Sequence, residues 1–418
     1  MSAVPASGVR NLPHGWRWVT MGDIAEIVGG GTPRTNEPAN FESGDIPWVT
    51  PADLSGYREK YISHGSRFIT SLGLTSSAAR LLPAGTILFS SRAPIGYVAI
   101  ARNPLATNQG FKSFVLKAEV SPEYVYWWLK GSKRLAESLA SGTTFLEISG
   151  ANARKIPIPI APLEQQHKIV AALEKQFSRL DDAVTNLMRV KSNLKRYRTS
   201  VLKFLYSGGS MSEELPSGWQ WTTIGEQFRV EVGATPSRKH SAYWGGAIPW
   251  VSSGEVQFRR VKRTAETITE EGLRNSSTKL NPAGSVLLGM IGQGRTRGQA
   301  AILDIEAANN QNCAAIWVSK TETPPEFVYY WFMSQYEATR RVGSGNNQQA
   351  LNKSLVQHLP MPWPGSIAEQ RRLVAQVEER LQVVEELEAQ VRANLARSQN
   401  LRRISLQRAF GQCAETGL

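Results

Sequence analysis

At 418 residues, 41% hydrophobic and 20% charged, the chain has the make-up of folded globular protein and the length of two or three domains. Its formal net charge of +13 points to a polyanionic partner, because Lys and Arg displace condensed counterions from a phosphate backbone. Two cysteines far apart, Cys313 and Cys413, and five scattered histidines speak against a disulfide framework or a zinc centre. No run of about eighteen apolar residues and no apolar leader stretch is present, so the chain reads as cytoplasmic, with no membrane partner.

In chain order, the first feature is a stretch that comes back. LPHGWRWVTMGDIAEIVGGGTP (12–33) returns as LPSGWQWTTIGEQFRVEVGATP (215–236). IPWVTPADL (46–54) returns as IPWVSSGEV (248–256), and LLPAGTILF (81–89) as LNPAGSVLL (280–288). ATNQG (106–110), SPEYVYWWL (121–129), IPIP (156–159) and LEQQHKIVAALE (163–174) return as ANNQN (308–312), PPEFVYYWF (324–332), LPMP (359–362) and IAEQRRLVAQVE (367–378). This is a tandem duplication of about 200 residues, long enough for each copy to hold its own core.

Each copy has two parts. The first is rich in Gly, Pro and Trp. TILFSS (86–91) and FKSFVL (111–116) read as short strands, and EYVYWWLKGSKRLAESL (123–139) as a helix capped by Ser121 with Pro122 in its first turn. The mixture predicts an α+β globular domain. Trp16, Trp18, Trp48, Trp219, Trp221 and Trp250 recur in register and read as core.

The second part has no Gly or Pro from Leu163 to Tyr206. Val170, Leu173, Phe177, Leu180, Val184, Leu187, Leu194, Val201 and Leu205 form a heptad stripe interrupted by Lys191 and Arg198. In the second copy Val374, Val377, Leu381, Val384, Val391 and Leu395 carry the same stripe past Glu388. Each stretch predicts a helix of about 44 residues, roughly 65 Å long. Acids (Glu164, Glu174, Asp181, Asp182; Glu369, Glu378, Glu379, Glu385, Glu386, Glu388) fill the first half of each helix, and bases fill the second. An antiparallel pair sets acid beside base, whereas a parallel pair opposes like charges; complementing the helix dipole explains the same pattern within one helix. The expected fold is therefore α+β, with two tandem pseudo-symmetric globular α/β domains separated by two long helices forming an antiparallel coiled coil. The expected boundaries are 1–160, 161–208, 209–364 and 365–418. Two like domains on such a rod can read two half-sites of duplex DNA at a fixed separation.

The layout of variable domain, long helix, variable domain, long helix resembles the specificity subunits of type I restriction-modification enzymes. The features that carry it are the LPxGWxW opening, the GxTP turn, the IPW strand, the PAG turn, the NQ pair, and the I/LPxP segment before a helix with a Gln about seven residues on. Each fragment is weakly specific alone, and their repeated order is highly specific. Ala234 in place of a glycine and the GQGRTRG loop (292–298) in place of SSRAPIG (90–96) are departures in the second copy. The resemblance implies two target-recognition domains that read a bipartite, gapped site in double-stranded DNA. It implies helices that dock two copies of an adenine methyltransferase subunit and allow restriction (motor-nuclease) subunits to join. It places S-adenosylmethionine, and ATP with Mg in a restriction complex, on those partners, with no cofactor in this chain.

Base or phosphate contacts are expected from polar and basic loops, because glycine lets backbone approach phosphate and Arg and Gln suit guanine and adenine. The first pair of loops carries Thr32, Arg34 and Thr35, and Thr235, Ser237, Arg238 and Lys239; an ordinary solvated turn is the competing reading. The second pair carries Ser90, Ser91 and Arg92, and Gln293, Arg295 and Arg297. Lys112, Thr143 and Thr144, and Asn346, Asn347, Gln348 and Gln349, are further candidates. Asn108-Gln109 and Asn310-Gln311 read as structural, because half-site readers should differ where they read. The EQQ and AEQ tripeptides and the exposed helix faces are expected to meet the methyltransferase.

Three rivals stand beside this reading. A stand-alone methyltransferase would need an NPPY-like motif and a cofactor loop, neither of which is found, so the chain is expected to be non-catalytic. A type IIB-like system with a fused methylase and nuclease would use a similar reader. A coiled-coil scaffold without a DNA role sits poorly with the charge.

Overall fold

The doubled sequence becomes a doubled sheet order in a computed structural model that describes residues 12–92, 94–142, 146–207, 215–292, 294–341 and 350–410. The chain divides into two units, and the divisions fall inside the two long helices, after Leu187 and after Ala393. Each unit thus contains one globular segment, a stretch of the first long helix and a stretch of the second.

In the first unit a five-stranded sheet runs in the order Ala25–Gly29, Lys112–Leu116, Ile87–Phe89, Val98–Ala101, Tyr61–Ile62. A three-stranded sheet runs Arg67–Ile69, Ile46–Val49, Ala106–Thr107, and Arg17–Thr20 pairs with Pro157–Ile160. The second unit repeats all three sheets. Its five strands are Val230–Val232, Cys313–Ile316, Val286–Gly289, Ala300–Leu303 and Arg259–Val261. Its three are Glu266–Ile268, Trp244–Val251 and Ala308–Asn309, and Trp219–Thr223 pairs with Pro360–Pro364. The central strands are apolar throughout because both faces are covered. Ile87 and Phe89 pack with Tyr124 and Trp128 on one side, while Leu88 packs with Val49 and Phe111 on the other. Val286 and Leu288, and Leu287 opposite them, do the same in the second unit.

The helix expected over 123–139 forms as two, Pro122–Gly131 and Lys133–Ser138. Gly131 and Ser132 are weak helix formers, and a Cβ on Gly131 would sit 3.4 Å from Leu406 of the second long helix, inside the same unit. The Ser121 hydroxyl caps the first piece by accepting from the Tyr124 amide at 3.3 Å.

The long helices are Leu163–Tyr206, 44 residues, and Ile367–Ala409, 43 residues. Their apolar stripes serve two partners. Val170, Leu173 and Phe177 are buried in the core of the first globular segment, together with Phe410. Val201, Leu202, Leu373, Val377 and Leu381 are buried in the core of the second. In each unit the two helix stretches run antiparallel. Arg402 pairs with Asp181 at 3.0 Å in the first unit, and Arg198 with Glu385 at 3.3 Å in the second. Arg198, an interruption of the stripe, is thus used for a cross-helix ion pair.

The recurring tryptophans do not share one environment. Trp48 and Trp250 are core, Trp16, Trp18 and Trp219 are half-buried, and Trp221 is 56% exposed. An indole N–H lets a tryptophan sit at a boundary with one polar handle, as Trp16 does by donating to Gln165 Oε1 at 2.8 Å.

Candidate nucleic-acid interface

Both units build one turn from the glycine-rich segment laid on the Asn-Gln turn. In the first, Gly31 N donates to Thr107 O at 2.9 Å, and the Trp48 indole donates to Gly31 O at 3.0 Å. In the second, Ala234 N donates to Asn309 O at 2.9 Å, and the Trp250 indole donates to Ala234 O at 3.1 Å. The approach is so close that a Cβ on Gly30 would fall 2.0 Å from Asn108 O, and one on Gly233 1.9 Å from Asn309 O. The Thr32 hydroxyl donates to Gln109 Oε1, and the Thr235 hydroxyl donates to Gln311 Oε1 at 2.6 Å. Gln109 and Gln311 therefore tie two turns together in the same way in both units, which is the structural role read from their recurrence. It also engages the hydroxyls of Thr32 and Thr235.

Beyond this shared frame the turns diverge. Arg34 and Thr35 are exposed; Arg34 lies 3.4 Å from Glu37, and its carbonyl accepts from buried Asn40 at 3.0 Å. In the second unit Ser237, Arg238 and Lys239 are exposed. Arg238 forms a two-pronged pair with Glu266, with Nη2 to Oε2 at 2.9 Å, and stands 3.8 Å over the Trp244 ring. That hydrogen bonding holds the Glu266 carboxyl below its ordinary pKa.

The second pair of loops hangs on equivalent backbone bonds. Ser91 N and Met290 N each donate at 2.8 Å to the Asn-Gln turn, and Gly96 and Gly298, both at positive φ, close the loops. Ser90 and Ser91 are buried. The Ser90 hydroxyl donates to Pro94 O at 2.7 Å, and the Ser91 hydroxyl to Gly110 O at 3.1 Å, so these side chains hold the loop and face no solvent. Arg92 and Lys112 converge on Glu147, at 3.6 and 3.5 Å. Arg295 is exposed, whereas Arg297 is only 8% exposed and donates to Arg340 O at 2.6 Å. Arg297 belongs to the loop's support, together with Arg340, which donates to Gly294 O at 2.9 Å. Thr143, Thr144, Gln293, Asn346, Asn347, Gln348 and Gln349 lie outside the described residues.

Sequence reasoning passed over Arg67, Glu147, Glu266 and Arg340, because their places depend on strand register and loop contacts rather than on a local motif. It also misread two glutamines. Gln166 is 1% exposed, accepting from Ser121 N at 3.0 Å and donating to Ala161 O at 2.8 Å. Gln370 is fully buried. Both lie inside their units, so neither offers an amide to a partner. A cleft of about 740 Å³ in the first unit, between Tyr126, Trp127, Asp181 and Arg402, is lined by none of the loop residues above.

The family model of the type I restriction modification DNA specificity domain matches residues 13–188 and 216–396. The chain belongs to this family. It is 31% identical over 337 residues to the MjaIX type I restriction enzyme specificity subunit of Methanocaldococcus jannaschii, covering 77% of this chain and 76% of that one. It is 21% identical to the EcoBI specificity subunit of Escherichia coli, over 97% and 87% of the two chains. Among solved structures, a chain from a study of complex assembly and conformational transition of the type I R-M system superposes with a TM-score of 0.78, at 18% identity, over 97% of this chain and all of that one. The HsdS subunit from Thermoanaerobacter tengcongensis superposes with a TM-score of 0.63, also at 18% identity, over 97% and 99%. The two family matches coincide with the two copies of the repeat, and the fold likeness spans both.

Proposed function

We propose that this specificity-family chain is the DNA-reading subunit of a type I restriction-modification complex. Each unit reads one half of a bipartite, gapped duplex site, through the Thr32–Thr35 and Arg92 loops in one and the Thr235–Lys239 and Arg295 loops in the other. The observation that carries this reading is the contrast within each repeated site. The supporting frame of glycine turn, Asn-Gln turn and tryptophan is the same in both units, while the exposed residues mounted on it differ. A reader of two unlike half-sites needs that combination.

The chain itself carries out no chemistry in this proposal. Methyl transfer to adenine belongs to two partner subunits that hold S-adenosylmethionine, with restriction subunits joining through them, in the cytoplasm. The docking surface is drawn from exposed apolar side chains of the long helices, such as Met188, Val190, Tyr197, Val383 and Leu387. Scattered exposed side chains are ordinary, but Val190 with Tyr197, seven residues apart, and Val383 with Leu387, four apart, each share one helix face that a partner can cover.

The test is binding of duplex DNA by the chain assembled with its methyltransferase. The expected affinity falls steeply with salt, by about 1,000-fold or more between 50 and 200 mM if six or more phosphates are contacted, and prefers one gapped sequence. Affinity that ignores salt and sequence would contradict the proposal.

A further inference from the structure

One strand position carries opposite charge in the two units. Arg67 lies opposite Trp48 in the antiparallel pairing of Arg67–Ile69 with Ile46–Val49. Glu266 lies opposite Trp250 in the equivalent pairing of the second unit. Both tryptophans belong to equivalent edge-to-face aromatic pairs, Phe41 with Trp48 and Trp244 with Trp250, at centroid separations of 6.1 and 5.1 Å. Both pairs also carry a guanidinium. In the first unit it is that of Arg67, 4.2 Å from the Phe41 ring and 5.4 Å from the Trp48 ring. In the second it is that of Arg238, which arrives from the glycine-rich loop, 3.8 Å from Trp244 and 5.5 Å from Trp250.

The two guanidiniums differ in what their edges do. Stacking on rings occupies the faces of the planar group and leaves its in-plane N–H donors for a second partner. Glu266 takes two of those donors from Arg238 with both carboxylate oxygens. Arg67 is exposed, and among the described residues no carboxylate pairs with it. Its side chain is held by the rings, next to the Gly31–Thr32 turn that Trp48 anchors. A rigid, exposed fork of this kind fits the paired acceptors O6 and N7 of guanine in the major groove. A phosphate also accepts such a fork, but it carries no sequence information, whereas the O6/N7 edge distinguishes guanine from the other bases.

We propose that Arg67 reads a guanine in the half-site of the first unit, and that Glu266, at the same strand position, withholds Arg238 from that role in the second. This rests on the DNA-reading function proposed above. The position becomes a point where one scaffold acquires two specificities. The first unit presents an open cationic fork, and the second presents a closed ion pair.

The experiment maps the recognised motif with the assembled methyltransferase complex carrying wild-type chain, R67A, R67K or E266Q, together with affinity for matched and single-substituted duplexes. Expected for R67A is a loss of about 10- to 100-fold in discrimination at one G·C pair of one half-site, with the other half-site intact. R67K keeps the charge and the general affinity but lacks the planar fork, so most of that discrimination stays lost. E266Q alters preference in the other half-site only. Wild-type discrimination in R67A, or an equal loss on all sequences, would overturn the guanine assignment, and full rescue by R67K would overturn the part given to the planar fork. An unchanged motif with E266Q, or a change in the half-site that R67A alters, would overturn the role of Glu266. A wild-type complex with no sequence preference at all would instead sink the DNA-reading function itself, and this inference with it.

Discussion

At the residue scale, two glutamines show how the same amino acid at the same place gains or loses its purpose. Gln166 accepts from the backbone of Ser121, but the equivalent residue in the second unit is Pro324, which has no N–H to give. Both polar atoms of the Gln370 amide are buried without a partner among the described residues. A buried amide left unpaired costs about 1–3 kcal/mol. Gln370→Leu is therefore expected to stabilise the second unit by about 1 kcal/mol, and Gln166→Leu to destabilise the first by a similar amount or more. Denaturant melts of the two variants check both signs, and a stability loss from Gln370→Leu comparable to that from Gln166→Leu would refute the comparison. The arginines of the 290–298 loop divide in a similar way. Arg295→Ala should lower discrimination at one position by about 1–3 kcal/mol and leave the fold intact. Arg297→Ala should loosen the whole loop, because its guanidinium holds the Arg340 carbonyl, and should weaken binding at several positions of that half-site. Motif mapping of the two variants separates these outcomes. From the sequence the two arginines look alike, two residues apart in one glycine-rich loop. Only the position of Arg340, some forty residues on, tells the supporting arginine from the exposed one.

At the element scale, the duplicated strands and the two Gly- and Pro-free helices were legible, because apolar periodicity and turn residues are local signals. Less legible was what the heptad stripe packs on. Val170, Leu173 and Phe177 fit a coiled-coil seam by spacing, yet they lie in a globular core. Spacing reveals that a face is buried, and not which element covers it. The same limit hid Arg67, whose place over Phe41 and Trp48 follows from strand register. The antiparallel charge argument does correspond to a contact, Arg198 with Glu385. Glu385→Lys with Glu386→Lys should lower the melting temperature of the second unit at low salt, an effect of roughly 0.5–1 kcal/mol that fades as salt screens it. Adding Arg198→Glu to Glu385→Lys should recover most of the loss, and no recovery would assign the effect to something other than this pair. The glycine-rich turn makes a sharper demand. Gly233→Ala would drive a Cβ into the Asn309 carbonyl, so it should destabilise the second unit by about 2 kcal/mol or more and abolish reading of one half-site. A melt indistinguishable from wild type would mean that the turn has room to shift.

For the whole molecule, the governing fact is that one chain carries the same reading frame twice with different residues mounted on it. In the proposed function its charge of +13 supplies sequence-independent attraction to DNA, and the unlike loops supply the sequence. Duplication within one chain frees the recognised site from being palindromic, because each unit can diverge without altering the other. Membership of the specificity-subunit family was legible at this scale, in the order of motifs repeated twice. The bases were not, because the placing of a side-chain edge such as that of Arg67, the proposed reader, follows from strand register, which no local motif announces.

The most direct test of DNA reading by this chain is a comparison of methylated adenines across the host genome with its gene intact and deleted. The account predicts that methylation disappears at one bipartite, gapped motif and persists elsewhere. An unchanged set of methylated motifs, with the chain expressed beside a functional methyltransferase, would contradict it.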